Sequence, residues 1–167
     1  MSITESMEFV RNVVSDSLSM ADSKIVLGSV NEVAEHNSKA EICLSLVKCA
    51  QDMSGRDIQP LTRQPTGFAR RTPPIALDIH VLFSFMSPNY TSSLDHLSQV
   101  IDLFHENPIF DAGNSTGGRF SFPDSLARLA LTQEFMGYDE LNQLWGIHGG
   151  HYLPSVTYQV RIARASS

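Results

Sequence analysis

Residues 71–85 read RTPPIALDIHVLFSF, the most apolar stretch of the chain, and how they fold decides how the rest is arranged. Proline lacks the N–H that a sheet interior needs, so Pro74 belongs at the first position of a strand. From there a period of two places Ile75, Leu77, Ile79, Val81, Phe83 and Phe85 on one face. Ala76, Asp78, His80, Leu82 and Ser84 fall on the other. The first face is core throughout, and the second is mixed. Asp78 and His80 therefore sit where a sheet turns a polar side outward, either as a reactive pair or as part of a face on which something docks.

Working outward, the last strand, SVTYQVRIA, repeats the pattern: Val156, Tyr158, Val160 and Ile162 face in, while Ser155, Thr157, Gln159 and Arg161 face out. Such alternation belongs to an antiparallel sheet with one side wet or docked. AEICLSLVKC over 40–49 is a third strand, with Ile42, Leu44 and Leu46 on one side and Cys43, Ser45 and Val47 on the other. KIVLGSV over 24–30 and residues 126–133 give two more, and Ala127, Leu129 and Leu131 form the inward set of the latter. NEVAEHNSK reads as a polar connection. Ile3, Met7, Val10, Val14 and Leu18 recur at helical spacing, with Ser2 or Thr4 as cap. Leu94, Leu97, Ile101 and Phe104 stripe a helix over 91–107 that Pro108 stops, with Ser92 and Asp95 near capping-box spacing. A short helix over 139–145 packs Leu141, Leu144 and Trp145. The sum is one α+β domain over 1–167, with a mostly antiparallel or mixed sheet of four to five strands flanked by about three helices.

The chain has 167 residues, 42% of them hydrophobic and 18% charged, the balance of a globular domain. A formal net charge of −6 argues against a general nucleic-acid binder. The N-terminus lacks the basic and apolar regions of a signal peptide, and the apolar run at 75–86 is too short to span a bilayer. Cys43 and Cys49, six residues apart in one strand, would lie roughly 20 Å apart, far beyond disulfide reach. They read as buried free thiols of a protein made in a reducing compartment. Residues 52–73 are rich in Gly, Pro and Arg without periodicity, and read as a long loop in which Arg56, Arg63, Arg70 and Arg71 outnumber the acids Asp52 and Asp57.

Candidate chemistry is thin. Asp78 and His80 lie roughly 7 Å apart on one strand face, a spacing compatible with a base and its orienting carboxylate. No G-x-S-x-G elbow accompanies them. His148 and His151 are separated by two glycines, a setting better suited to a turn than to a metal site. NSTGGRF matches no phosphate-binding loop. A small metal-dependent hydrolase built on the Asp78/His80 face, with His148 and His151 as ligands, is the alternative the residues leave open. The expectation is a non-enzyme with no catalytic residue, cofactor or metal. Arg56, Arg63, Arg70, Arg71, Asp78, His80, Thr157, Gln159 and Arg161 are its candidate protein-contact residues.

Three stretches in order carry a resemblance: TPPIALDIHVLFSF, LSQVIDLFHENPIF and DELNQLWGIHGGHYLPSVTYQVRI, with CLSLVKCAQDMSGRD as a fourth, less specific one. From about residue 3 to 164 the chain resembles the cap, or tail-terminator, proteins of phage-tail-like contractile injection systems, of the virulence-cassette and antifeeding-prophage type. The resemblance implies a structural protein that forms a ring, expected to be a homohexamer, at the baseplate-distal end of the inner tube. There it would end tube growth and link the tube to the last sheath ring. The implied partners are further copies of itself, the tube protein and the sheath protein. Relatives carry a further C-terminal region, so a second cap protein is implied as a possible partner of this shorter form. Neither nucleic acid nor membrane insertion is implied. Assembly would be cytoplasmic, within a particle that is later released or membrane-anchored.

Overall fold

A computed structural model describes residues 2–51, 61–64, 67–70, 76–114, 121–147 and 152–164. In chain order the elements are α1 (Ser2–Leu18), β1 (Ile25–Leu27), α2 (Val30–His36), β2 (Ile42–Gln51), β3 (Leu61–Gln64), β4 (Gly67–Arg70), β5 (Ala76–Phe85), α3 (Tyr90–Glu106), β6 (Ile109–Phe110), β7 (Leu126–Glu134), α4 (Tyr138–Ile147) and β8 (Ser155–Arg164). Six strands form one sheet in the order β1-β2-β5-β8-β7-β6, antiparallel except between β1 and β2. β3 and β4 pair with each other as a separate two-stranded ribbon. The α+β architecture is the expected one. The main sheet exceeds the expected strand number through the two-residue β6, too short to leave a periodic signal.

Alternation along β5 sets the layers. Its partners run in phase from Ala76 opposite Ala163 to Ser84 opposite Ser155, so the apolar sets of β5 and β8 share one face. Ile79, Val81, Phe83 and Phe85 join Val156, Tyr158, Val160 and Ile162 there, beneath Val10 and Val14 of α1 and Val100 and Phe104 of α3. The rings of Phe83, Phe104 and Tyr158 meet one another at centroid distances of 5.2–5.9 Å. Each such side chain withdrawn from water stabilises the fold by about 1.5–3 kcal/mol. On the opposite face a smaller cluster covers Cys43 and Leu82 with Val30 and Val33 of α2 and Leu144 and Trp145 of α4. Helices thus cover both faces.

Several details depart from the sequence reading. Residues read as a polar connection after 30 form α2 instead, and the preceding strand stops at Leu27. The cause is topological: β1 and β2 are parallel neighbours, so the chain must cross over between them, and Val30 and Val33 supply the apolar edge of the crossover helix. Gly28 permits the tight entry, since a Cβ there would stand 3.1 Å from Val33 Cγ2. Helix α3 is capped by Asn89, whose side chain accepts from the Thr91 N–H, and not by Ser92. A bulge between Leu126 and Arg128 buries Leu126 and leaves Ala127 exposed. Another, between Leu46 and Lys48, lies where β2 runs past the end of β1; Leu46 and Cys49 are exposed, so only Cys43 is a buried thiol. The segment read as a loop contains the β3–β4 hairpin.

Candidate interaction face

The second face of the sheet is covered only in part. Toward the Ser84 and Ser155 end lie α2 and α4; toward the other end β5, β8, β7 and β2 present polar side chains. Asp78 and His80 come from β5, Arg161 and Gln159 are their register partners on β8, and Lys48 of β2 stands opposite His80. Thr132 and Glu134 continue the row on β7.

Asp78 and His80 are not partners of each other. Arg161 Nε donates to Asp78 Oδ1 at 3.2 Å, an ion pair across directly opposed positions of antiparallel strands. His80 Nδ1 lies 2.5 Å from Glu134 Oε1, a carboxylate that reaches over β8 from β7. Both members of the His80–Glu134 pair are about one-fifth to one-quarter exposed, so the contact is sheltered from water and holds the imidazole in one orientation. They open onto a shallow cavity of about 350 Å³ that is also lined by Val47, Lys48, Phe135, Met136 and Glu140. Among the described residues that lining contains no serine, threonine or cysteine. Among the described residues no group of three or more His, Cys, Asp and Glu side chains is arranged to hold a metal ion.

Thr157, expected on the wet side, is buried, because α4 and the strand–helix connection cover that end of the face. Gln159 is half-buried and Arg161 exposed. Arg63 lies on β3 and Arg70 on β4, apart from the Asp78–His80 face in the sequence and in a separate ribbon. Arg56, Arg71, His148 and His151 lie outside the described residues. Sequence reasoning missed Glu134, Lys48 and Phe135. Glu134 was within reach of it, since it alternates in phase with Thr132 at the polar end of β7. Nothing in the sequence placed the Leu46/Lys48 bulge that brings Lys48 opposite His80.

Comparison with known proteins adds the following. The family model described as the Pvc16 N-terminal domain matches residues 7–167. Comparison with curated protein sequences gives no match. Among solved structures, the sheath/tube terminator of an extracellular contractile injection system, PVC, in its extended state is similar over 100% of this chain and 58% of its own, with a TM-score of 0.63 at 10% identity. The tube-terminating cap of the anti-feeding prophage is similar over 75% of this chain and 43% of its own, with a TM-score of 0.52 at 12% identity. The chain therefore spans somewhat over half the length of the terminator it matches. At these identities the likeness concerns the fold.

Proposed function

The chain belongs to the Pvc16 N-terminal domain family, and on that premise we propose that it is a structural cap at the baseplate-distal end of a contractile injection particle. In this reading it forms a ring, six-fold by expectation, ends growth of the inner tube and links the tube to the last sheath ring. The observation that carries the proposal is the fold match to a sheath/tube terminator over the whole of this chain. Its partners in this reading are further copies of itself, the tube and sheath proteins and a second cap protein.

The polar face fits this role better than it fits catalysis. Asp78 is neutralised by Arg161 and His80 is held by Glu134, so the sheet presents fixed, paired charges. Paired charges at a protein surface contribute register and partner choice more than affinity. Asp78, His80, Gln159 and Arg161 are accordingly contact residues in this proposal, and Arg56, Arg63, Arg70 and Arg71 are further contact residues in it. The hydrolase reading took Asp78 and His80 as the working pair, and these two side chains pair elsewhere, with Arg161 and Glu134. Among the described residues no helix is long and apolar enough to cross a membrane.

The proposal is tested by epitope-tagging the chain and labelling assembled particles with gold-coupled antibody under the electron microscope. Label at a single end, opposite the baseplate, is the expected result. Label distributed along the sheath, or no label on particles, would reject it.

A further inference from the structure

The two edges of the main sheet are finished differently. At one, the Ile109 carbonyl of β6 accepts from the Asn114 side-chain N–H at 2.8 Å, and the Asp111 N–H donates to the Asn114 side-chain oxygen at 2.9 Å. That edge is closed by its own loop. At the other, β1 covers β2 only at Ile42, Cys43 and Leu44. β2 continues to Gln51, paired on its inner side with β5 as far as Leu77.

The register gives the direction of the uncovered backbone groups. The Leu44 carbonyl accepts from the Gly28 N–H, so Leu44 directs its backbone outward, and Leu46, two residues on, does the same. Past the bulge, Lys48 takes the inward position opposite His80, which leaves Cys49 and Gln51 outward. All three residues are exposed, and among the described residues no backbone hydrogen bond reaches their outward groups. Beside them, between α1 and the end of β1, lies an open cavity of about 410 Å³ whose lining includes Met7, Leu27, Leu44 and Leu46. A free strand edge pairs with an extended segment through its backbone, and an adjoining apolar pocket selects a side chain of that segment.

We propose that the β2 edge from Leu46 to Gln51 accepts an extended segment of another protein, added to the sheet in line with β1. An aliphatic side chain of that segment fills the cavity beside Leu46. A second copy of this chain is poorly suited to supply the strand. The far edge of its sheet is closed by Asn114, and pairing two β2 edges would bring together two bulges and two Lys48 side chains. Strand addition here neither requires nor excludes the capping role.

The test follows backbone amide exchange by NMR in the isotopically labelled, full-length chain, with and without an excess of a capped hexapeptide of alternating leucine and threonine. Exchange of the Leu46, Cys49 and Gln51 amides should slow about tenfold or more as they become paired. The same peptide with every backbone nitrogen methylated should leave it unchanged. Leu46→Pro removes an outward N–H that the β2–β5 ladder does not use, and should abolish protection of Cys49 and Gln51. Leu46→Asp keeps that N–H but places a charge in the cavity wall, and should weaken binding about tenfold or more. An excess of peptide that leaves these amides exchanging as before, protects a different segment, or acts equally on Leu46→Pro overturns the proposal. Protection of the same amides on concentrating the chain alone would make a second copy the occupant, and overturns it too.

Discussion

Two serines on the same covered face of the sheet invite opposite outcomes from the same substitution. Ser84 on β5 is fully buried, and its hydroxyl has no hydrogen-bond partner among the described residues. Ser45 on β2 is also buried, but its Oγ donates to the Gly28 carbonyl at 2.6 Å. A buried hydroxyl without a partner costs about 1–3 kcal/mol of desolvation, whereas a made hydrogen bond contributes about 1 kcal/mol net. Ser84→Ala keeps the Cβ and removes the orphaned group, so it should stabilise the protein by about 1 kcal/mol. Ser45→Ala should destabilise it by about 1 kcal/mol, with some relief because Cys43 Sγ also reaches the Gly28 carbonyl, at 3.4 Å. For a chain of this length the separation of about 2 kcal/mol corresponds to about 4–8 °C in Tm. Thermal melts and urea unfolding followed by circular dichroism measure both variants against the parent. If Ser84→Ala lowers stability as much as Ser45→Ala does, Ser84 has a partner and the reasoning is wrong.

Other expectations are as direct. Burial pushes the Cys43 thiol up from its ordinary range, its bond with Ser45 offsetting this only in part, while Cys49 is exposed. Native protein should then react with one equivalent of Ellman's reagent and denatured protein with two. Burial also pushes the Tyr158 phenol up to about 12. The unfolded chain ionises first, near 10, so this contribution is intact below pH 10 and disappears as the pH rises to about 12, a loss on the order of 3 kcal/mol. Tyr158→Phe should remove that part of the alkaline slope in melts between pH 9 and 12; an unchanged slope would mean that the phenol is not sheltered. Ser19 ends α1 at φ 52°, with the Met20 N–H bonded to the Ser15 carbonyl and the Ser19 N–H to that of Asp16. Glycine takes this left-handed position without strain, so Ser19→Gly should add about 0.5–1 kcal/mol in the same unfolding assay.

What was legible in the sequence follows from which forces act locally. The apolar period of two along β5 and β8 survives because both strands are central and one face of each is wholly buried, so Ile79 to Phe85 and Val156 to Ile162 are where alternation places them. Helices α1 and α3 are legible for the same reason, as each lays one stripe on that face. Helix α2 is hidden because its signal is only Val30 and Val33, and what demands a helix there is the parallel pairing of β1 with β2, a long-range fact. Bulges in β2 and β7 shift the faces of Lys48 and Ala127 without leaving a mark in composition. At the polar face the residue types were right but the partnerships were not. Asp78 and His80 are close in sequence, yet Arg161 and Glu134 arrive from strands whose neighbourhood only the topology sets. Exposure around α4 was equally invisible, since Tyr138 and Tyr152 look the same in sequence whether buried or bare.

Electron microscopy of particles assembled with and without this chain bears most directly on its role as a cap. The capping role predicts that particles lacking it have ragged or overlong tubes and sheaths with open distal ends, and that supplying the chain restores a uniform length. Particles of normal length with normal ends in its absence would contradict it.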